Sequence, residues 1–272
     1  MPELPEVETV VRTLRPRLVG LTITDVALLR PDIVHSPKTN LPQLLTGQSV
    51  TAVTRRGKKI LVHLAEPNIL CIHLGMTGQL TFENPAVPTR PHTHLIVGLR
   101  NSHSTSTAQL RFRDPRRFGG VWYLTLEQAN ANLGPEPLTL TTPQLAHQLA
   151  RTRRPIKAAL LDQSLIAGLG NIYVDESLFA AHIHPLTRAC QLSPEQIHRL
   201  NQSIKSVLRL AIRYRGSSIS DYIDGNGRSG RFQDLHKVYD RADQPCPTCQ
   251  APIHRIVITG RSTHFCPHCQ PR

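Results

Sequence analysis

Four of the six cysteines stand near the C-terminus as Cys246-Pro-Thr-Cys249 and, after sixteen intervening residues, Cys266-Pro-His-Cys269. Two such knuckles supply four thiolates, the soft tetrahedral donor set of structural zinc. A closed set of four leaves no open coordination position, so the metal would brace the fold and catalyse nothing. Between the knuckles, HRIVITGRSTHF alternates apolar with polar and turns at Gly260, which predicts a metal-pinned hairpin with Arg261 at its tip. An arginine on a rigid tip is placed to meet a phosphate. Cys71 and Cys190 lie singly in or beside apolar sequence and read as buried or inert thiols.

The other end carries a second candidate chemistry. The chain opens MPELPEVETV, and Val7, Val10, Val11, Leu14 and Leu18 form a helical stripe with Pro5 suited to its first turn. Glu6 and Glu8 at the start and Arg12, Arg15 and Arg17 later match the helix dipole. Pro2 precedes the helix and has no such structural reason. Initiator methionine is commonly removed before a small second residue, which would leave Pro2 as a free secondary amine. Free α-amino groups titrate near about 7.7–8.0, so a fair fraction is uncharged at neutral pH and able to form an iminium with a sugar carbon. Glu3 would stand beside it as an acid. An ordinary Met-Pro start reads the same way at this level.

Charge narrows the partner. The chain has 272 residues, with 32 Lys+Arg against 19 Asp+Glu and a formal charge of +13, the footprint of a protein that meets a polyanion. No apolar run reaches a membrane span, no basic amphipathic helix carries exposed aromatics, and the acidic start lacks the basic flank and apolar core of a secretory signal. A cytoplasmic, DNA-associated location is expected. Aromatics make up only 4% of residues, which argues against single-strand binding by extended base stacking and for a reader of duplex.

These groups need elements to hold them. Short strand-like runs fill residues 21–125 (LTITDVALL, QSVTAVTRR, KKILVHL, NILCIHLGM, HLIVGL, AQLRFRD, GGVWYL), the pattern of a sandwich or barrel. NSHSTSTA at 101–108 reads as a hairpin loop and 126–142 as a linker. Helices follow: TTPQLAHQLA with a threonine cap, a helix–glycine turn–helix through GLGNIY, and a longer helix after the capping-box pattern Ser193-Pro-Glu-Gln196. In the glycine turn, backbone N–H groups can approach a phosphate, and Asn171 could add a donor. GSSISDYIDGNGRSG at 216–230 reads as a mobile loop. Three blocks are expected, at 1–125, 126–236 and 237–272.

MPELPEVETV, RRGKKI, HLGMTGQL, DPRRFGG, LLDQSLIAGLGNIYVDESLF and GRSTHFCPHCQ, in this order along the whole chain, resemble bacterial formamidopyrimidine-DNA glycosylase of the MutM type. The resemblance implies an α+β multi-domain fold: an N-terminal β-sandwich with an N-terminal helix, a helix-two-turn-helix domain and a C-terminal zinc-finger β-hairpin. It implies one structural zinc on the four cysteines. It implies removal of oxidised purines (8-oxoguanine, formamidopyrimidines) from double-stranded DNA, cleavage at abasic sites by β,δ-elimination, and action as a monomer.

By the same resemblance Pro2 is the nucleophile and Glu3 an acid and proton shuttle. Lys58, taken as a strand lysine, donates a proton in β-elimination and binds phosphate, while Lys59 beside it reads as a solvated charge. Arg261 serves phosphate binding and δ-elimination. His92, Arg116, Arg153, Lys157 and Asn171 contact DNA. Met76, Arg116 and Phe118 fill the gap left by an extruded base, although the two apolar ones also read as core. The 216–230 loop closes over the everted purine. Two other readings stand beside this one. An endonuclease VIII-like glycosylase acts on oxidised pyrimidines, and its start typically reads PEGPE where this chain has PELPEVET. The second is a non-catalytic zinc protein that binds DNA.

Overall fold

The computed structural model describes residues 1–36, 40–65, 67–101, 107–219 and 221–272. It divides into two compact units, Met1–Ala131 with Arg215–Arg231, and Asn132–Tyr214 with Phe232–Arg272.

The first unit begins with α1, Leu4–Leu18, where Pro5 sits in the first turn and Arg15 and Arg17 in the last. The stripe Val7, Val10, Val11, Leu14 and Leu18 is fully buried. The strands β1 (Leu21–Leu28), β2 (Val50–Arg56), β3 (Lys59–Leu64), β4 (Asn68–His73), β5 (Gln79–Glu83), β6 (Thr93–Asn101), β7 (Thr107–Arg113) and β8 (Gly120–Thr125) form two sheets, ordered β1-β6-β7-β5 and β2-β3-β4-β8. All pairings within them are antiparallel.

Ile23, Leu95, Val97, Leu110 and Phe112 of the first sheet share one core with Val53, Ile60, Val62, Leu70 and Ile72 of the second and with the α1 stripe. The architecture is thus a sandwich with the N-terminal helix packed into it. Leu61, Ile69 and Cys71 face the other way and are covered by Ala129 of α3 (Leu126–Asn130), a capped turn inside the expected linker. Strand β5 went unread although QLTFE alternates polar with apolar, and in the fold Gln79 and Thr81 are buried along with Leu80. A further short helix, α2 (Leu41–Leu45), adds Leu41 and Leu45 to the core. Of the expected 101–108 loop, residues 102–106 lie outside the described ones.

The second unit holds α4 (Thr142–Ala150), α5 (Ile156–Leu161), α6 (Asn171–Ala180), α7 (Pro194–Arg213) and the hairpin β9 (His254–Ile258) with β10 (Arg261–Phe265). Ser193 caps α7 through a reciprocal box with Gln196, as the spacing predicts, and the expected threonine cap of α4 is Thr141, which forms a box with Gln144. Helix α6 is buried from Ile172 to Phe179. Its Glu176 carboxylate accepts the backbone N–H groups of Lys237, Val238 and Tyr239 at 2.9–3.0 Å.

The two units depart from three successive blocks. Residues 215–231 join the first because Glu6, Thr13 and Arg17 of α1 bond to Ser217, Gly225 and Asn226. The hairpin joins the helices because Cys246, Ile253 and Cys266 share a core with Phe179 and Val238. Among the described residues no helix is long and apolar enough to cross a membrane.

Candidate active site

Pro2 and Glu3 are buried at the head of α1, whereas Met1 is half exposed. Glu3 is the N-cap. It exchanges bonds with Glu6 in a capping box, Glu6 Oε2 accepting the Glu3 N–H at 2.8 Å. The second Glu6 oxygen accepts the Ser217 N–H at 2.7 Å. One buried carboxylate therefore joins the backbone beside Pro2 to the start of the 216–230 loop. The Tyr222 hydroxyl donates to the Glu6 carbonyl at 3.2 Å, and burial, then the negative charge of Glu6, push its phenol well above the usual range. It stays a donor.

Lys58 is not in a strand. Arg56 pairs with Lys59, leaving Gly57-Lys58 as a two-residue turn. Gly57 has φ +54°, a left-handed value suited to glycine at this position. Lys58 is nonetheless buried, at 8% exposure. Lys59, expected to be solvated, donates instead to the Ala129 carbonyl at 3.2 Å, since α3 covers this face of the sheet. Burial first, then the cations Lys58 and Lys59, hold the His73 imidazole down at about 4 against a pull from Asp114. It is neutral at pH 7, and its Nδ1 accepts the Gly75 N–H at 3.1 Å.

Met76 and Phe118 are 39% and 63% exposed, which removes core packing as their explanation. Gly75, with φ +61°, lies so close to the Phe118–Gly119 backbone that a Cβ would meet Gly119 N at 2.3 Å, so the two loops touch. Fully buried Asp114 ties them further. Its carboxylate accepts from the Thr77 hydroxyl and from Gly119 N, the latter at 2.7 Å. Its own N–H donates to the carbonyl of exposed His92 at 3.0 Å, and the Arg116 N–H reaches Thr77 Oγ1 at 3.2 Å. Four expected DNA contacts, Met76, His92, Arg116 and Phe118, thus lie on loops tied together through the backbone and carboxylate of Asp114.

In the second unit Arg153 and Arg261 are exposed. Asn171 opens α6 after Gly170, and its Nδ2 donates to the Ser262 carbonyl at 2.9 Å. Lys157 requires a correction. It is fully buried, with its ammonium 2.7 Å from Asp175 Oδ1 and 2.8 Å from the Ser262 carbonyl, so it offers no charge to a phosphate.

The sulfurs of Cys246, Cys249, Cys266 and Cys269 lie within 4.8 Å of one another. Two of the separations are 3.9 and 3.4 Å, near the roughly 3.8 Å edge of a tetrahedron with Zn–S bonds of about 2.3 Å. Backbone N–H groups of Thr248 and Cys269 point at Cys246 and Cys266 sulfur. The site fits zinc held by four thiolates, with a structural role only. Of the other two cysteines, Cys71 is buried, which pushes its thiol up to about 11, while Cys190 is exposed.

The 216–230 loop, read as mobile, is docked on its own unit. Besides the bonds to α1, Gln79 Nε2 donates to the Asp221 carbonyl at 2.7 Å and Phe82 N to the Gly225 carbonyl at 3.1 Å. Sequence reasoning missed Asp114 and Asp175 as organisers. The only available signal was that Asp114 opens DPRRFG and that Asp175 lies in NIYVDES.

Three family descriptions match consecutive stretches: the formamidopyrimidine-DNA glycosylase N-terminal domain over residues 1–121, its H2TH domain over 133–222, and a zinc finger found in FPG and IleRS over 243–272. A formamidopyrimidine-DNA glycosylase of Chloroflexus aurantiacus is 47% identical over 99% of this chain and 98% of its own length. A variant of Lactococcus lactis FPG in complex with Fapy-dG containing DNA superposes with a TM-score of 0.91 at 36% identity, covering all of both chains. The same bacterium's Fpg with an abasic site containing DNA gives 0.90 at 36% identity, over 99% of this chain and all of that one.

Proposed function

The chain belongs to the formamidopyrimidine-DNA glycosylase family, and from that membership and the site geometry we propose how its own residues excise a base and cut the strand. The protein is a base-excision-repair glycosylase with a zinc finger. Its substrate is duplex DNA carrying oxidised purines such as Fapy-dG and 8-oxoguanine, or abasic sites, and its place would be with the bacterial chromosome in the cytoplasm.

Once Met1 is removed, the Pro2 nitrogen carries a lone pair. It forms a bond to the sugar C1′ as the bond from C1′ to the base breaks; the nitrogen gives up its own proton to Glu3, and the base leaves with a proton. Opening of the sugar ring then leaves an iminium on Pro2. Glu3 supplies and recovers protons at the base and ring oxygen. Loss of a C2′ proton breaks the C3′–O bond, and a second elimination breaks the C5′–O bond. Lys58 serves the first elimination and the strand's phosphate, and Arg261 the second. Arg153 and Asn171 bind backbone. Met76, Arg116 and Phe118 fill the space of the extruded base, offsetting the few kcal/mol of unstacking that flipping costs. The four cysteines hold the zinc, which braces the hairpin that carries Arg261.

One observation carries the reading: Pro2 and Glu3 are buried together at a helix head with the Glu3 backbone held by Glu6, so trimming one exposed residue uncovers an amine already in place. Borohydride reduction with an 8-oxoguanine or abasic duplex should yield a covalent adduct from protein whose intact mass lacks Met1, and none from protein that retains it. A parallel thymine glycol duplex ranks purine against pyrimidine lesions.

A further inference from the structure

A two-stranded hairpin is marginal alone, and β10 has one neighbour, β9. In an antiparallel ladder alternate residues turn their backbone groups to the same side. Ser262 and His264 turn theirs away from β9, to where a third strand would lie. No strand is there. Side chains take its place: Lys157 Nζ and Asn171 Nδ2 donate to the Ser262 carbonyl at 2.8 and 2.9 Å, and Asp175 Oδ2 accepts the His264 N–H at 2.9 Å. Lys157 and Asp175 are joined at 2.7 Å, both at 0% exposure.

Burying two full charges is expensive, and an apolar pair of similar volume often serves stability as well or better. A buried pair retained for geometry must fix something. Here each member spends one bond on its partner and one on the strand edge, and the first residue beyond that edge is Arg261, exposed at the start of β10. The Thr259-Gly260 turn before it is exposed on both residues. The hairpin's arginine is therefore located by the clamp on Ser262 and His264.

We infer that Lys157 and Asp175 are positioning residues for Arg261, a buried ion pair that replaces a third strand along β10 and fixes where the guanidinium meets the cleaved strand. The inference rests on Arg261 acting in the second elimination. Neither residue touches DNA, and the effect of changing them passes through Arg261.

The test uses full-length, zinc-loaded protein and an abasic duplex under single turnover. It compares Asp175→Asn, the double variant Lys157→Met with Asp175→Asn, Arg261→Gln, and Asp175→Asn combined with Arg261→Gln. The double variant leaves no unpaired buried charge, so it reports even if Asp175→Asn alone folds poorly. Expected of Asp175→Asn and of its combination with Lys157→Met are full zinc content, adduct formation within about twofold of wild type, and a ratio of δ to β product lowered about ten- to hundredfold, the scale of a small misplacement. Adding Arg261→Gln should lower the ratio no further than that change alone, because both act through one group. A wild-type ratio in both Asp175 variants overturns the inference, as does a loss that adds to that of Arg261→Gln. Loss of zinc from both variants also overturns it, the pair then being a folding element. A wild type that forms no adduct defeats the lyase reading itself, and this inference with it.

Discussion

Arg55 of β2 holds Glu8 of α1, its Nε 3.0 Å from Glu8 Oε2, with the arginine side chain only 8% exposed. Its Nη1 donates at 3.0 Å to the carbonyl of Gly57, the residue before Lys58. A single guanidinium therefore ties the helix that follows Pro2 to the turn that carries the second proposed catalytic group. Lysine cannot reproduce this, because its ammonium is a point donor and the planar fork serves two directions at once. Arg55→Lys should keep the attraction to Glu8 and lose the grip on the turn. We expect stability to fall by about 1–3 kcal/mol and the β-elimination rate on an abasic duplex by about tenfold or more. An unchanged single-turnover rate would show that the turn is held by other means.

Glu6 faces two donors, the N–H groups of Glu3 and Ser217. Glutamine has only one acceptor oxygen, so Glu6→Gln turns an amide N–H₂ toward one of them. The unmet buried donors should lower stability by about 1–3 kcal/mol, read from urea midpoints. Because Ser217 opens the loop proposed to close over the base, release of 8-oxoguanine should slow more than cleavage of an abasic duplex. Equal slowing of both would confine the effect to Glu3.

Asp114→Asn tests whether the wedge residues depend on their common anchor. Asparagine keeps the size but must point its amide at either Thr77 or Gly119, both of which donate to the carboxylate. Affinity for an abasic duplex should drop toward that of Phe118→Ala, with binding measured at fixed salt because phosphate contacts are strongly salt-dependent. Full affinity in Asp114→Asn alongside a weakened Phe118→Ala would separate the anchor from the wedge.

Local spacing made much of this legible. The α1 stripe, the caps of α4 and α7, the zinc knuckles and the hairpin turn at Gly260 are all set within a few residues, and the sequence pattern marks each. The misplaced readings are long-range. Lys157 reads as a surface cation because nothing nearby reveals Asp175, eighteen residues on, as its buried partner. The docking of the 216–230 loop depends on a bond between Glu6 and Ser217 across 211 residues. Lys59 looked solvated because α3, which covers its face, lay hidden in a turn-rich stretch. Asp114 gave no sign that the loops bearing four expected DNA contacts would be tied together through it.

Zinc removal should act on one unit and spare the other. The cysteines share their core with Phe179, Val238 and Ile253, and a bound structural metal contributes folding energy directly. A strong chelator should abolish duplex binding and lower the thermal midpoint of the second unit. Trp122, the chain's single tryptophan, packs beside Leu61, Ile69 and Cys71 in the first unit, so its fluorescence should hold. A shift in that emission at the same chelator concentration would mean that the metal supports the sandwich as well.

The last prediction concerns acid. Burial holds His73 in the first unit and His236 in the second at about 4, against an ordinary value of 6.5. In the unfolded chain both titrate near 6.5, so between about pH 4 and 6.5 the unfolded state binds more protons than the folded one. Stability then rises with pH across this window and is lost as pH falls through it, by about 1.4 kcal/mol per pH unit for each histidine at most. Burial lowers His63 and His184 as well, adding the same sign. Glu176 opposes them, because burial raises its carboxyl and the folded state then holds the extra proton. The informative measurement is therefore a difference. Urea midpoints at pH 7 and pH 5 should lie closer together in a His73→Gln, His236→Gln variant than in wild type, and an equal gap in both would remove these two histidines as the source of acid sensitivity.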